Sequence, residues 1–589
     1  MKGREQENRN GMSRRDFLRG AAIGTAGVAM TGVLGACAPV STQSPVAETP
    51  AGEPTPSGKL PWLGKEPEIA DKDVEATTTV DVIVVGAGVA GVAATRSASE
   101  EGAEVAVFEK GKGPQCRSGE YAVINGKLQA RWGRDTMDPD ELVDSHMIES
   151  SYKVKRPVMS RWAKENAEVF DWFIAAKPDL YICDTTRSEV PDEHKDAFLI
   201  PLFHPLPEHY NYKEEKFPCF PTSVEFLPSQ APVINANMEK AINTGKVKPY
   251  YGHFVEKLIM ENGRCTGVYA RNAQTGKYVK AMANKGVILA TGEYSSNDEI
   301  LDYYCPEVQE NNIPRIWVNI DVEGNKTNTG DGLKLGSWAG ARIQQHHAPM
   351  IHHMGGGAGV DGNGVMGIAG FLQLDTNGKR FMNEDVPGQQ VENQIELLKG
   401  QFSYQFWDAK WKDEIQYMPA AHGTPCYYDE SRPKNNETYR NYKNQAELDK
   451  AVQEGRCLKA DTLEELLSKL EIDQETALKS IQRYNELCHK GKDEDFGKVA
   501  KRLFPLETAP FYAVKMTTAA LLVCIGGLES DEECHTFDEN RNVISGLYAA
   551  GNVQGNRYAV EYPISLKGVS HATALFYGYI AGKNAVKQM

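Results

Sequence analysis

A chain of 589 residues is longer than one hydrophobic core usually fills, so more than one domain is expected. Its 41% hydrophobic and 25% charged residues are those of an ordinary soluble protein, and a net charge of -15 argues against nucleic acid while suiting a basic protein partner. Eleven cysteines, with no CxxC pair and no CxxCH, give zinc, iron–sulfur clusters and covalent haem no local support; disulfide pairing stays open.

The first residues belong to no fold. Ser13-Arg14-Arg15-Asp16-Phe17-Leu18-Arg19 precedes 17 uncharged residues, 20–36, rich in Gly, Ala and Thr. That run is too short and too weakly apolar to span a membrane, and the basic region ahead of it predicts an export signal. The paired arginines followed by Phe-Leu resemble a twin-arginine signal, which implies passage of the folded chain through that translocase to an extracytoplasmic site. Leu34-Gly35-Ala36-Cys37 resembles a bacterial lipoprotein box with Cys37 acylated; the alternative is a plain cleavage site that contains a cysteine. Residues 38–60 are rich in Pro, Ser and Thr and read as a tether, so a linker is expected over 37–75 and any membrane contact comes only through the anchor. Cleavage before Cys37 removes six basic and three acidic residues and takes the net charge to -18.

Regular structure begins with an apolar run at 80–85, then Gly86-Ala87-Gly88-Val89-Ala90-Gly91 and a small-residue helix. Gly86 permits the turn, Gly88 lets a pyrophosphate approach the backbone, and Gly91 lets helix and strand pack closely. A second apolar strand ends at Glu109, placed to accept hydrogen bonds from a ribose diol. The pattern predicts a bound dinucleotide; a glycine turn that merely packs a helix on a sheet is the alternative. Lys110 and the loop Arg117-Ser118-Gly119 can set backbone N–H groups beside the rest of the dinucleotide. Helical spacing follows over 139–177. Residues 183–233 are irregular and rich in Pro, His and aromatics, either a lid or a domain-packing excursion, and His194, His204 and His209 lack metal-ligand spacing. A helix at 235–243 precedes strands near 248–261, which contains Val255, and at 265–272 and 278–283. A buried-type strand then ends in Thr291-Gly292.

From here the motifs gain an order. The glycine turn, Glu109, Val287-Ile288-Leu289-Ala290-Thr291-Gly292, Gly330-Asp331-Gly332, Gly378-Lys379-Arg380-Phe381, Gly526-Gly527 and Gly546-Leu547-Tyr548-Ala549-Ala550-Gly551-Asn552 resemble the soluble fumarate reductase family of flavoproteins, with urocanate reductases, ketosteroid dehydrogenases and gut-bacterial enone reductases among its members. The resemblance covers about residues 76–589. It implies an α/β fold: a discontinuous FAD-binding domain of the glutathione-reductase type from 76–343 and 520–589, with an α+β capping domain at 344–519. It also implies FAD, held by Gly86, Gly88, Val89, Ala90, Gly91, Glu109, Lys110, Arg117, Ser118, Gly119, Val255, Thr291, Gly292, Gly332, Gly551 and Asn552. Ser565 and Leu566, at the start of the final helix, would turn backbone N–H groups to the pyrimidine edge. Family members usually carry an acid where this chain has Asn552.

In that family flavin N5 gives hydride to one carbon of a polarised C=C bond and an acid protonates the other. The arginine acid of small-dicarboxylate members falls here on Gly388, its proton-feeding Glu and Arg on Gly364 and Gly367, and a substrate histidine within residues 521–525. The carboxylate clamp is largely gone. In its place Arg557-Tyr558-Ala559-Val560-Glu561-Tyr562 brings one cation, one carboxylate and two phenols near the flavin. Tyr558 or Tyr562 is expected as the acid, with Arg557 orienting the substrate oxygen. The alternative is that the tyrosines pack a domain seam and Glu561 pairs Arg557. His346 and His347 occupy the place of a family substrate histidine, His352 and His353 read as loop, and the glycine-rich run 355–370 as the rim of the cap. Arg380 and Glu384 either bind substrate or fix the cap by hydrogen bonds. The resulting expectation is an exported FAD-dependent reductase of an activated C=C bond in an enone, aromatic acrylate or steroid-like acceptor, fed by a separate cytochrome or membrane quinol-linked carrier. Its rivals are the reverse reaction, a dehydrogenase that introduces unsaturation, and a lipid-anchored binding protein without turnover.

Overall fold

The computed structural model describes residues 60–588, apart from 132, 134–135, 184–210, 228, 316–317, 353–354, 358–363, 367–369, 387, 419–426, 429–441, 444 and 519. The export signal, Cys37, the first part of the tether, His194, His204, His209, His353, Gly367 and much of the glycine-rich run therefore lie outside the described residues. Among the described residues no helix is long and apolar enough to cross a membrane.

The linker expected to reach residue 75 ends sooner. Trp62 and Leu63 are buried, Trp62 lies 6.1 Å from the Tyr304 ring, and Lys257 Nζ donates to Glu66 Oε2 at 3.0 Å. Two large apolar side chains within four residues gain more from a core than the surrounding prolines gain from solvent.

The main sheet and its helices use β1 (Val74–Val85), α1 (Val89–Glu100), β2 (Val105–Glu109), α2 (Pro139–Glu149), β3 (Val247–Tyr251), β4 (His253–Glu261), β5 (Arg264–Asn272), β6 (Tyr278–Leu289), α3 (Gly388–Glu396), β7 (His535–Phe537), β8 (Val543–Ala549) and α4 (Val569–Lys587). Five of the strands run parallel in the order β8-β6-β1-β2-β3, with β7 antiparallel at one edge and the β4–β5 hairpin joined through β5 to β6. The core of β1 is apolar at every position because both faces are covered: Val82 and Val84 enter the core shared with α1 and α4, while Ile83 and Val85 enter the opposite one. In this sheet Val85 and Ala549 are both level with Leu289. The three segments that follow, from Gly86, Ala290 and Ala550, thus leave the sheet side by side at its carboxyl edge, where open α/β sheets bind ligands.

A second, antiparallel sheet of four strands, in the order Leu372–Leu374, Phe402–Trp407, Phe511–Thr517 and Leu458–Ala460, is made wholly from the middle of the chain. It is covered on one face by Leu466, Leu467 and Ile481 and on the other by Trp411, Ile395 and Met418. The antiparallel pair Ala348–His352 and Ala520–Ile525 runs where the chain enters and leaves this region.

Candidate active site

The nucleotide end is built from backbone. Gly86 sits at φ +99° and a Cβ there would lie 2.4 Å from the Ala290 carbonyl oxygen; a Cβ on Gly91 would lie 1.9 Å from that of Gly86. Only glycine lets strand, turn and helix approach this closely. Gly88 is the N-cap of α1 and offers no side-chain cap, so the first-turn N–H groups at Val89, Ala90 and Gly91 are left for an anion. A Cβ on Gly88 would meet only the Gln115 carbonyl oxygen, at 3.7 Å, which leaves room for a phosphate.

Glu109 is buried, and its two carboxylate oxygens accept the Ala87 N–H at 2.7 Å and the Gly111 N–H at 2.6 Å. The residue expected to hold a ribose thus also holds the turn itself. Burial pushes its carboxyl up against the pull of those two amides. Lys110 pairs with Asp331 at 2.8 Å and bonds Thr329. Ser118, at φ +48°, and Gly119 turn their carbonyls to the N–H groups of Gln230 and Phe226. Val255 lies in β4 opposite Ala270, Gly292 is left-handed at φ +79°, and Gly332 opens the helix Asp331–Trp338 against Thr291 and Val553. Among the described residues Thr291 Oγ1 and Arg117 Nη2 are buried without a hydrogen-bond partner, and burial holds the Arg117 guanidinium below its ordinary value. Uncapped helix, orphan hydroxyl and orphan guanidinium N–H fit a dinucleotide that brings acceptors of its own. Ser565 and Leu566 depart from expectation: they lie in a 3-10 turn, Ile564–Leu566, and α4 starts only at Val569. Leu566 N donates to Pro563 O and Ser565 Oγ to Glu149 Oε2, because Gly568, at φ +81°, must first turn the chain.

Beside this edge a small cavity is lined by Arg557, Tyr558, Tyr562, Asn552, Ile525 and Gly526, among others. Arg557, only 2% exposed, donates from Nη1 to Thr573 Oγ1 at 2.6 Å, from Nη2 to Asn552 Oδ1 at 2.9 Å and from Nε to Gln554 O at 3.2 Å. Glu561 does not pair with it. That carboxyl receives Asn393 Nδ2 at 3.3 Å, its other oxygen is buried without a partner, and burial together with nearby Glu149 pushes it up to about 8. Burial likewise pushes Glu149 up to about 7.

The two phenols differ. The Tyr558 hydroxyl donates to Val569 O at 3.1 Å and shares a 2.6 Å bond with Thr573 Oγ1, so it is spent within the protein. The Tyr562 hydroxyl accepts the Ser570 N–H at 3.1 Å, in the first turn of α4, which leaves its hydrogen to be given. Burial pushes both phenols above the ordinary value, so both stay protonated at neutral pH. Three residues missed in sequence hold this wall. Gln344 Nε2 donates to Tyr558 O at 3.0 Å while its Oε1 accepts the Asn556 N–H at 2.7 Å, and His146 Nε2 meets Arg557 O at 2.8 Å. Glu293 accepts the Ser295 hydroxyl at 2.8 Å and the Cys524 N–H at 3.1 Å, tying the end of β6 to the cavity strand. Glu293 had a signal, an acid directly after Thr291-Gly292; Gln344 and His146 had none.

Other expected substrate ligands are engaged elsewhere. Arg380 binds Glu384 through two N–H groups, at 2.8 and 2.7 Å, and Asp493 at 2.8 Å, with Lys498 Nζ 3.6 Å from Glu384. This ion cluster holds the second sheet's region together, and its carboxylates balance the Arg380 charge, although Nη1 is buried without a partner among the described residues. His347 stacks on Tyr304 at 3.7 Å, its ring nitrogens engaged by Tyr294 OH and Gln344 O, and it packs behind Gly526 rather than into the cavity. Burial pushes it down to about 3. His346 is half-buried and uses its carbonyl to accept Gln344 Nε2. Gly388 opens α3, where it supplies no acid.

A family model described as "FAD binding domain" matches residues 81–564. The chain belongs to that family. It is 24% identical to the vinyl phenol reductase of Lactiplantibacillus plantarum, covering 86% of this chain and 96% of that one. It is also 24% identical to the fumarate reductase (cytochrome) of Shewanella frigidimarina, covering 89% and 79%. Among solved structures, the 3-ketosteroid-delta4-(5alpha)-dehydrogenase of Rhodococcus jostii RHA1 matches with a TM-score of 0.63 at 19% identity, over 89% of this chain and all of that one, which bears out the fold. The protein is thus an FAD-dependent oxidoreductase of the CH–CH class, and its cofactor is FAD.

Proposed function

We propose that the chain is an exported enzyme that reduces the activated C=C bond of an acceptor larger and less anionic than fumarate, bearing at most one oxyanion. Bound FAD supplies the hydride, held by the uncapped turn of α1, Glu109, Thr291 and Arg117. One observation carries the reading: among the described residues the cavity lining offers one cation, two phenols and no carboxylate, and its strand wall is Val523, Cys524 and Ile525. Arg557 faces the acceptor oxygen, so that the negative charge gathering there during reduction meets a guanidinium. Tyr562 gives its proton to the carbon that does not take hydride and is then reprotonated from solvent. The α4 amide on its oxygen stabilises the phenolate left behind. Tyr558 holds the wall through Val569 and Thr573. A vinyl phenol, which carries no carboxylate, suits one cation and two phenols better than fumarate does. Residues 344–519 act as the cap, and electrons come from a separate cytochrome or quinol-linked carrier.

The test is anaerobic reduction of the purified holoenzyme, then mixing with cinnamates, vinyl phenols, enones and fumarate while flavin reoxidation is followed. Fast reoxidation by a mono-oxygenated aromatic or enone acceptor and slow reoxidation by fumarate is the expected pattern; the reverse order ends the proposal. Export and acylation are tested by fractionating cells that express the chain with Cys37 or with Cys37→Ala, where loss of membrane retention marks the anchor.

A further inference from the structure

Arg96, Arg380 and Arg502 are deeply buried, and each bonds at least one carboxylate: Glu100 for Arg96, Glu384 and Asp493 for Arg380, and Glu215 and Asp385 for Arg502. Arg557 is as deeply buried and, among the described residues, bonds only a carbonyl, a hydroxyl and an amide oxygen. The amide is that of Asn552, whose Oδ1 also accepts the Ser570 hydroxyl at 3.2 Å. A neutral acceptor satisfies the N–H geometry of a guanidinium and leaves its charge unbalanced, which is costly where water is scarce.

We propose that Asn552 determines the acceptor class: by holding Arg557 with a neutral oxygen it reserves the full guanidinium charge for one oxyanion on the bound acceptor, a carboxylate, phenolate or developing enolate. This rests on the reading that Arg557 faces the acceptor. A dianion is disfavoured by the same arrangement, because among the described residues no second cation lines the cavity and the strand opposite presents Val523, Cys524 and Ile525. Asn552→Asp tests the idea cleanly, since it adds one charge at almost constant volume and places it against Arg557 Nη2.

The holoenzyme and its variants would be titrated with benzoate and with benzamide, a neutral isostere, by the perturbation of flavin absorption. Unaltered protein is expected to favour benzoate by about tenfold or more, and Asn552→Asp to lose that preference while benzamide affinity stays within about twofold. FAD content and the unfolding midpoint are measured alongside, so that a lost cofactor is told apart from a lost preference. No benzoate preference in the unaltered protein, or a preference that survives in Asn552→Asp, overturns the proposal. So does a lowered flavin potential in Asn552→Asp with benzoate binding unchanged, which would put the charge on the cofactor instead. Arg557→Met separates the two levels. If it too keeps the preference, the reading of Arg557 fails; if it loses the preference while Asn552→Asp keeps it, only the role of Asn552 fails.

Discussion

Arg380 and Arg557 are both shut away from water, and they use their charge in opposite ways. Arg380 lies between Glu384 and Asp493 with the rings of Tyr484 and Phe496 within about cation–π distance, at 5.1 and 4.8 Å, so its charge is consumed inside the protein. Arg557 is held by three neutral acceptors at the wall of a cavity, so its charge is available to whatever enters. Withdrawal from water therefore says nothing about role, whereas the charge of the partners does. A compensated buried arginine is architecture, and an uncompensated one is waiting for an anion.

The sharpest way to break the contrast is to remove each guanidinium. Arg380→Met should destabilise the fold by about 3 kcal/mol, since it leaves two buried carboxylates with only Lys498 as a cation, and thermal unfolding would register it. Arg557→Met should leave the unfolding midpoint nearly unmoved and cut turnover by about a hundredfold or more, the usual loss when an oxyanion donor goes. If the two variants exchanged these effects, charge compensation would be a poor guide here. The phenols sharpen the same division. Tyr562→Phe should lower turnover by about a hundredfold with FAD retained, as expected for a lost general acid. Tyr558→Phe should cost about 1 kcal/mol of stability and little rate. Near-normal turnover in Tyr562→Phe would remove it as the acid.

The smallest effect concerns charges of one sign. Glu149 and Glu561 are raised to about 7 and about 8 from an ordinary 4.5, burial being the first cause in both. A carboxyl raised on folding costs nothing while it is protonated in both states; stability is lost once the unfolded chain ionises while the folded one still holds its proton, and the loss ends when the folded group ionises too. Stability should therefore fall as pH rises from about 4.5 through 8, and the Glu149→Gln, Glu561→Gln double variant should flatten that slope in unfolding curves taken across the range. An unchanged slope would mean that the pair is solvated in solution.

Some of the site was legible because its chemistry is local. Gly86, Gly88 and Gly91 had to be small for reasons contained within one strand, turn and helix, and the run ending in Thr291-Gly292 carried the same kind of signal. The segment 555–563 was legible only as a set of reactive residues. Asn556 and Val560 take left-handed backbone, φ +64° and +56°, and each such residue breaks the alternation by which side-chain direction is read along a strand. That break turns Glu561 toward Asn393 of α3 and away from Arg557, and no periodicity foretells it. Trp62 and Leu63 were hidden for a simpler cause: composition called the region a tether, and the core that receives them is formed by residues far along the chain.

Sequence alone determined the cofactor class, the reaction class and the parallel sheet, since each depends on short patterns whose backbone consequences are the same wherever they occur. The tertiary structure decided which cation is free. Arg380 finds its second acid, Asp493, 113 residues away, whereas Arg557 finds an amide five residues earlier and a hydroxyl sixteen residues later. Charge balance is a property of what meets in space, and a linear order of residues does not contain it.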